Sequence, residues 1–139
     1  MKGTRPILLV EDDKVDAMAV KRAVKDLKIT NELTIVGDGE QALEFLKNPK
    51  NPRPCLILLD INMPRMNGIE FLRVAKQDQD LRLIPVIVLT TSKEDQDKFD
   101  SFNLGVAGYM IKPADYLKFV ELVRAVDCYW TISETATEI

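Results

Sequence analysis

The stretch Cys55-Leu56-Ile57-Leu58-Leu59-Asp60-Ile61-Asn62-Met63-Pro64 decides the fold. Its apolar residues 56–59 run without alternation into an acid. A strand with one wet face alternates, whereas an unbroken run reads as a strand covered on both faces, as in a parallel sheet between helices. Beyond Asp60 lies a turn-rich segment, Asn62-Met63-Pro64-Arg65-Met66-Asn67-Gly68.

The pattern repeats on both sides. Upstream, Ile7-Leu8-Leu9-Val10 also stops at acid, Glu11-Asp12-Asp13. A helix over 15–27 follows, with Val20, Ala23, Val24 and Leu27 at helical spacing. Residues 33–36 read as a second strand. Residues 39–46 read as a short helix with Asp38 as N-cap and Gln41 at the third position. The Pro- and Asn-rich residues 48–54 are a loop. Downstream, Asn67 and Glu70 form the cap pair of a third helix ending near Gln77. Val86-Ile87-Val88-Leu89 is a fourth strand, and Ser92-Lys93-Glu94-Asp95 reads as the capping box of a fourth helix. Residues 107–111 are a fifth strand. A last helix starts near Asp115, with Tyr116, Phe119, Val120, Val123 and Val126 on one stripe. Five strand–helix pairs predict a doubly wound α/β domain around a parallel sheet. The domain is expected over residues 1–130, with a short polar tail at 131–139 and no output domain.

With 139 residues the chain has one domain's length, and its formal net charge is −3. Without a basic block it offers no footprint for nucleic acid or an anionic membrane. The apolar runs fall far short of the roughly 20 residues that span a bilayer. The N-terminal stretch is no signal peptide, so a cytoplasmic location is expected. The chain has no histidine, which excludes Ser-His-Asp and Cys-His catalysis and most zinc sites. Cys55 and Cys128 form no CxxC pair and read as small core residues.

The polar residues that stand out fall at strand ends. Strand one ends in Glu11-Asp12-Asp13, strand three in Asp60, strand four in Thr90-Thr91-Ser92 and strand five in Lys112-Pro113. In an open α/β sheet ligands bind at the carboxyl ends of the strands. Converging carboxylates repel one another, and a hard divalent cation relieves that repulsion. Mg²⁺ takes oxygen ligands, here Asp12, Asp60 and the backbone carbonyl of Asn62, with water or phosphoryl oxygens completing the set. Phosphoryl transfer needs positioning and charge compensation. Asp60 suits the acceptor nucleophile, Lys112 a point charge on a phosphoryl oxygen, and the Thr90 hydroxyl a donor made only when that oxygen is present. Singly these residues have ordinary readings: a helix cap, strand threonines, a loop Lys-Pro. The inference rests on their occurring in order at four strand ends.

Taken together, Leu8-Leu9-Val10-Glu11-Asp12-Asp13, Leu59-Asp60-Ile61-Asn62-Met63-Pro64 with Asn67-Gly68, Val88-Leu89-Thr90-Thr91, Gly105-Val106-Ala107-Gly108-Tyr109 and Lys112-Pro113 resemble the receiver domain of two-component response regulators over about residues 5–127. The resemblance implies a flavodoxin-like (βα)5 sheet, strand order 2-1-3-4-5. It implies an acidic pair Glu11 and Asp12 holding Mg²⁺, Asp60 as phosphoacceptor, Thr90 and Lys112 as phosphate sensors, Tyr109 as aromatic switch and a cis Lys112–Pro113 peptide. Such a chain is a phosphorylation switch rather than an enzyme, and a sensor histidine kinase is the implied partner. The long first helix, Thr90-Thr91-Ser92 and Tyr129-Trp130 resemble regulators that partner phytochrome-type kinases. Such regulators can form homodimers through the helix 4–strand 5–helix 5 face, with Tyr116, Phe119 and Trp130 as candidates. The alternative places Phe119 in the core and packs Trp130 on the last helix. Three other functions compete. A nucleotide-binding flavodoxin-like protein needs a Gly-rich phosphate loop after strand one, where Glu11-Asp12-Asp13 stands. An aspartyl-nucleophile phosphatase needs a second acid where Asn62 stands. A receiver-like scaffold that escapes phosphorylation usually lacks the acceptor, the acidic pair or the lysine.

Overall fold

A computed structural model describes residues 4–91 and 95–132. The strands are β1 (Ile7–Val10), β2 (Leu33–Val36), β3 (Leu56–Leu59), β4 (Val86–Thr90) and β5 (Gly108–Ile111). The helices are α1 (Lys14–Asp26), α2 (Gly39–Lys47), α3 (Gly68–Gln77), α4 (Asp95–Asn103) and α5 (Tyr116–Ile132). A 3-10 turn at Leu81–Leu83 precedes β4 and has no counterpart in the sequence-based expectation. All strand pairs are parallel, in the order β2-β1-β3-β4-β5.

The period-two geometry of the strands splits their side chains between two cores. Ile7, Leu9, Leu56, Leu58, Ile87 and Leu89 point to the face covered by α1 and α5, where they meet Val20, Val24, Phe119, Val123 and Val126. Leu8, Val10, Ile57, Leu59, Val86 and Val88 point to the opposite face, against Ala42, Phe71, Leu72 and Ala75. The central strands β1, β3 and β4 are therefore buried throughout, while the edge strands β2 and β5 are only partly covered.

Helix starts follow the cap chemistry. Asp13 accepts from the N–H groups of Val15 and Asp16 and starts α1. Asp38 accepts from the Gln41 N–H and starts α2. The Gln41 side chain takes the Gly37 N–H rather than that of Asp38. Asn67 and Glu70 make a full capping box on α3. The capping box expected over 92–95 lies largely outside the described residues, as do the side chains of Tyr129 and Trp130.

One open choice closes and one expectation changes. Phe119 is 3% exposed and belongs to the core beneath α5, the second of the two readings offered for it, because the helix stripe that contains it faces the sheet. Cys128 is exposed and not a core residue, and Cys55 is half-buried; neither forms a disulfide.

Candidate functional site

β1 and β3 lie side by side with Val10 opposite Leu59, so Glu11 and Asp60 leave the sheet together. The Asp60 N–H donates to the Val10 carbonyl at 3.0 Å, and the Glu11 N–H donates to the Val36 carbonyl at 2.9 Å. From β1 the chain winds outward to β2 in one direction and through β3, β4 and β5 in the other. The crevice where these directions part is where open α/β sheets bind ligands. Here Glu11, Asp12 and Asp60 each present a carboxylate oxygen within 4.8 Å of the others. Glu11 and Asp60 are buried and Asp12 is exposed, so the cluster has a closed floor and an open mouth.

Lys112 enters from the end of β5. The Lys112 N–H donates to the Thr90 carbonyl at 2.9 Å, which fixes the end of β5 against that of β4. Its side chain is 5% exposed, and Nζ contacts Glu11 Oε1. The same Nζ lies 3.0 Å from Asp16 Oδ2 and 3.8 Å from Asp60 Oδ2. Burial pushes the Glu11 carboxyl up to about 8, with the neighbouring Asp60 adding to the rise and Lys112 opposing it. Burial disfavours the Lys112 ammonium, but the hydrogen bonds to Glu11 and Asp16 and the charges of Asp60 and Glu11 outweigh it and hold its pKa above the ordinary lysine value. One buried cation thus faces more negative charge than it can neutralise. The donor set is all oxygen, which suits a hard divalent cation such as Mg²⁺.

The loop after β3 is held tightly. A Cβ on Gly68 would lie 2.6 Å from the Asp60 carbonyl oxygen and 2.8 Å from Ile61 Cα, so only glycine lets α3 start this close to the acid. The Gly68 N–H donates to the Ile61 carbonyl at 2.9 Å. The Asn62 N–H points to Asp60 Oδ1 at 3.4 Å. Arg65, at φ 60°, sets Nε 3.4 Å from the buried carboxylate of Asp38, and the Gly39 N–H donates to the Met66 carbonyl at 3.0 Å. These contacts tie the loop to the start of α2.

Of the residues picked out in the sequence, Glu11, Asp12, Asp60 and Lys112 come together as one cluster. Thr90 is fully buried at the adjacent end of β4, and Asn62 follows Asp60 on its loop. Tyr109 is not in the cluster. It sits half-buried on β5, its ring 6.3 Å from that of Phe102 on α4. The Lys112–Pro113 peptide is trans, against the cis form expected for it. Trans is the intrinsically favoured isomer by about 0.5–1 kcal/mol, and Lys112 reaches the acids in that form. Tyr116 turns away from the α4 side: its hydroxyl donates to Asp26 Oδ2 at 2.8 Å, and Arg22 lies 4.1 Å over its ring. The sequence reading missed Asp16, because an acid in the first turn of a helix is already explained by the helix dipole.

A groove of about 580 Å³ opens beside the cluster between α1 and the start of α5, lined in part by Val15, Asp16, Met18, Pro113 and Tyr116. Val15 is 78% and Met18 58% exposed. Among the described residues no helix is long and apolar enough to cross a membrane.

The family model described as "response regulator receiver domain" matches residues 7–124. Response regulator Rcp1 of Synechocystis sp. is 41% identical over 135 residues, covering 94% of this chain and 90% of Rcp1. The crystal structure of the phosphorylated cyanobacterial phytochrome response regulator RcpA is similar at a TM-score of 0.89 and 34% identity, covering 96% of this chain and 98% of that one. The crystal structure of the Mn²⁺-bound form of response regulator Rcp1 is similar at a TM-score of 0.86 and 39% identity, covering 94% and 97%.

Proposed function

We infer that this chain, which belongs to the response regulator receiver domain family, is a phosphorylation switch whose acceptor is Asp60. The observation that carries this reading is the convergence of three carboxylates within 4.8 Å at the ends of β1 and β3, with Lys112 buried against them. The donor is a phosphohistidine on a sensor kinase. An Asp60 oxygen attacks phosphorus and forms the new O–P bond, while the P–N bond breaks and its electron pair returns to the imidazole nitrogen. Glu11, Asp12, Asp60 and the Asn62 carbonyl are the residues to hold Mg²⁺. When bound, Mg²⁺ supplies positive charge to the crowded acids and the incoming phosphoryl oxygens. Lys112 pairs with one phosphoryl oxygen, and the Thr90 hydroxyl donates to another. Tyr109, on β5 beside α4, is the aromatic group whose packing follows Thr90.

The similarity to a phosphorylated phytochrome response regulator and to an Mn²⁺-bound one supports both the chemistry and a phytochrome-type kinase as donor. Val15 and Met18 beside the open mouth provide an apolar contact surface for that kinase. The α4–β5–α5 face, with Phe102 and Ile111 exposed, is the surface for a homodimer. The receiver unit runs through α5, which continues to Ile132, two residues past the expected boundary at 130, and the protein acts in the cytoplasm as a switch rather than a turnover enzyme.

The test is intact mass after incubation with acetyl phosphate, with Mg²⁺ and with EDTA, on the wild type and Asp60→Asn. A gain of one phosphoryl group that needs Mg²⁺ and vanishes in the variant is expected. No gain with acetyl phosphate or with a purified phytochrome kinase would overturn the reading.

A further inference from the structure

Lys112 has three N–H donors and three carboxylates around it. Glu11 contacts one donor, and Asp16 Oδ2 at 3.0 Å takes a second. Asp60 Oδ2, at 3.8 Å, is beyond hydrogen-bond reach of the third. The ammonium is therefore drawn aside from the acceptor carboxylate rather than docked on it. The force that draws it comes from α1, because Asp16 lies in the first turn of that helix. Asp16 is positioned in turn: its own N–H donates to Asp13 Oδ1 at 3.1 Å within the cap of α1. Without Asp16, the buried ammonium of Lys112 has only Glu11 and Asp60 left as acidic partners, and it closes on Asp60. A lysine seated on Asp60 competes with a divalent cation for the same oxygens and blocks the incoming phosphoryl group.

We propose that Asp16 is a positioning residue that holds the Lys112 ammonium off Asp60, leaving the acceptor oxygen open and the third N–H of the lysine available to a phosphoryl oxygen. The proposal rests on Asp60 being the acceptor and deepens that reading by naming what holds its lysine in place. Asp16 touches neither the acceptor nor the group transferred to it and acts only through Lys112.

The test compares Asp16→Asn with Asp13→Asn. Both remove one negative charge near the cluster, but Asp13 makes no contact with Lys112, and asparagine caps a helix as well as aspartate does. Mg²⁺ titration is followed by the amide resonances of Asp60 and Asn62, and the ¹⁵N resonance of the Lys112 ammonium is recorded without metal. Asp16→Asn is expected to weaken Mg²⁺ binding about tenfold and to slow phosphorylation by acetyl phosphate, and to move the Lys112 resonance. Asp13→Asn is expected to weaken Mg²⁺ binding less than threefold and to leave that resonance in place. Asp16→Glu, which restores the charge, is expected to recover most of the affinity. Equal losses in Asp16→Asn and Asp13→Asn with an unmoved lysine resonance would overturn the proposal. If the wild type takes no phosphoryl group, the acceptor reading fails by itself, and the Mg²⁺ and lysine measurements still decide the role of Asp16.

Discussion

Glu11 shows what the site costs a single residue. Its carboxyl is buried beside Asp60, and its pKa is pushed up from the ordinary value of 4.5 to about 8. The folded protein therefore binds a proton on Glu11 that the unfolded chain releases above pH 4.5. Stability from this group is full below that pH and is lost as pH rises through about 8. Glutamine at this position has no proton to lose. In EDTA, the stability of the wild type is expected to fall below that of Glu11→Gln progressively between pH 5 and 8, as read by urea denaturation at each pH. A constant gap would show that Glu11 stays ionised throughout. Gly68 answers a different question at the same scale. Alanine there drives a methyl group into the Asp60 carbonyl, 2.6 Å away. Gly68→Ala is expected to cost about 2 kcal/mol in urea denaturation, within the usual range for overpacking, and to lower Mg²⁺ affinity because the displaced backbone is that of Asp60. Loss of stability without loss of affinity would separate α3 packing from the site.

The helices carry their punctuation in the sequence to different degrees. N-termini were legible: Asp38 and the Asn67–Glu70 box cap where their side-chain chemistry places them, and Asp13 fills the ordinary cap role that the acidic run also allows. The C-terminal ends expected at 27, 46 and near 77 also fall within one residue of the observed Asp26, Lys47 and Gln77, but the backbone closures that make them were not legible, because no side chain announces them. At the end of α1 the Lys28 N–H donates to the Lys25 carbonyl and the Ile29 N–H to the Val24 carbonyl, each at 3.0 Å. This is a Schellman closure, with Lys28 in the left-handed region at φ 57° where glycine is usual. Lys28→Gly is expected to stabilise the protein by about 0.5–1 kcal/mol, the left-handed penalty being partly offset by glycine's greater freedom when unfolded. A destabilised variant in thermal melts would mean that the lysine side chain contributes more than its backbone costs. The site divides in the same way. Glu11, Asp12, Asp60 and Lys112 were legible because charge directly after an apolar strand has few structural uses. Asp16 and the Arg65–Asp38 pair were not, because a first-turn acid and a loop arginine look ordinary until the fold brings them against something. The trans form of Lys112–Pro113 was likewise beyond the sequence, since X–Pro isomers differ by so little energy.

At the scale of the molecule, two cores lock the sheet from both sides, and the acids sit where neither core extends. Packing thus holds the carboxylates together, because the strands that carry them have no freedom to move apart without exposing Val10 or Leu59. The mutual repulsion exists only in the folded state; in the unfolded chain Asp12 and Asp60 are far apart. A cation that binds the folded cluster alone must therefore raise the stability of the whole domain by mass action, about 1.4 kcal/mol at tenfold excess over its Kd. For a chain of this length that is a rise of roughly 4 °C in Tm. The expected result is a Tm that climbs with Mg²⁺ and returns with EDTA. Asp60→Asn removes a source of the repulsion and a ligand together. The variant is expected to melt above the wild type in EDTA and to respond weakly to Mg²⁺, so the two curves converge or cross as the cation is added. Parallel curves would mean that Mg²⁺ stabilises the protein elsewhere and that the acids at the ends of β1 and β3 are not its site.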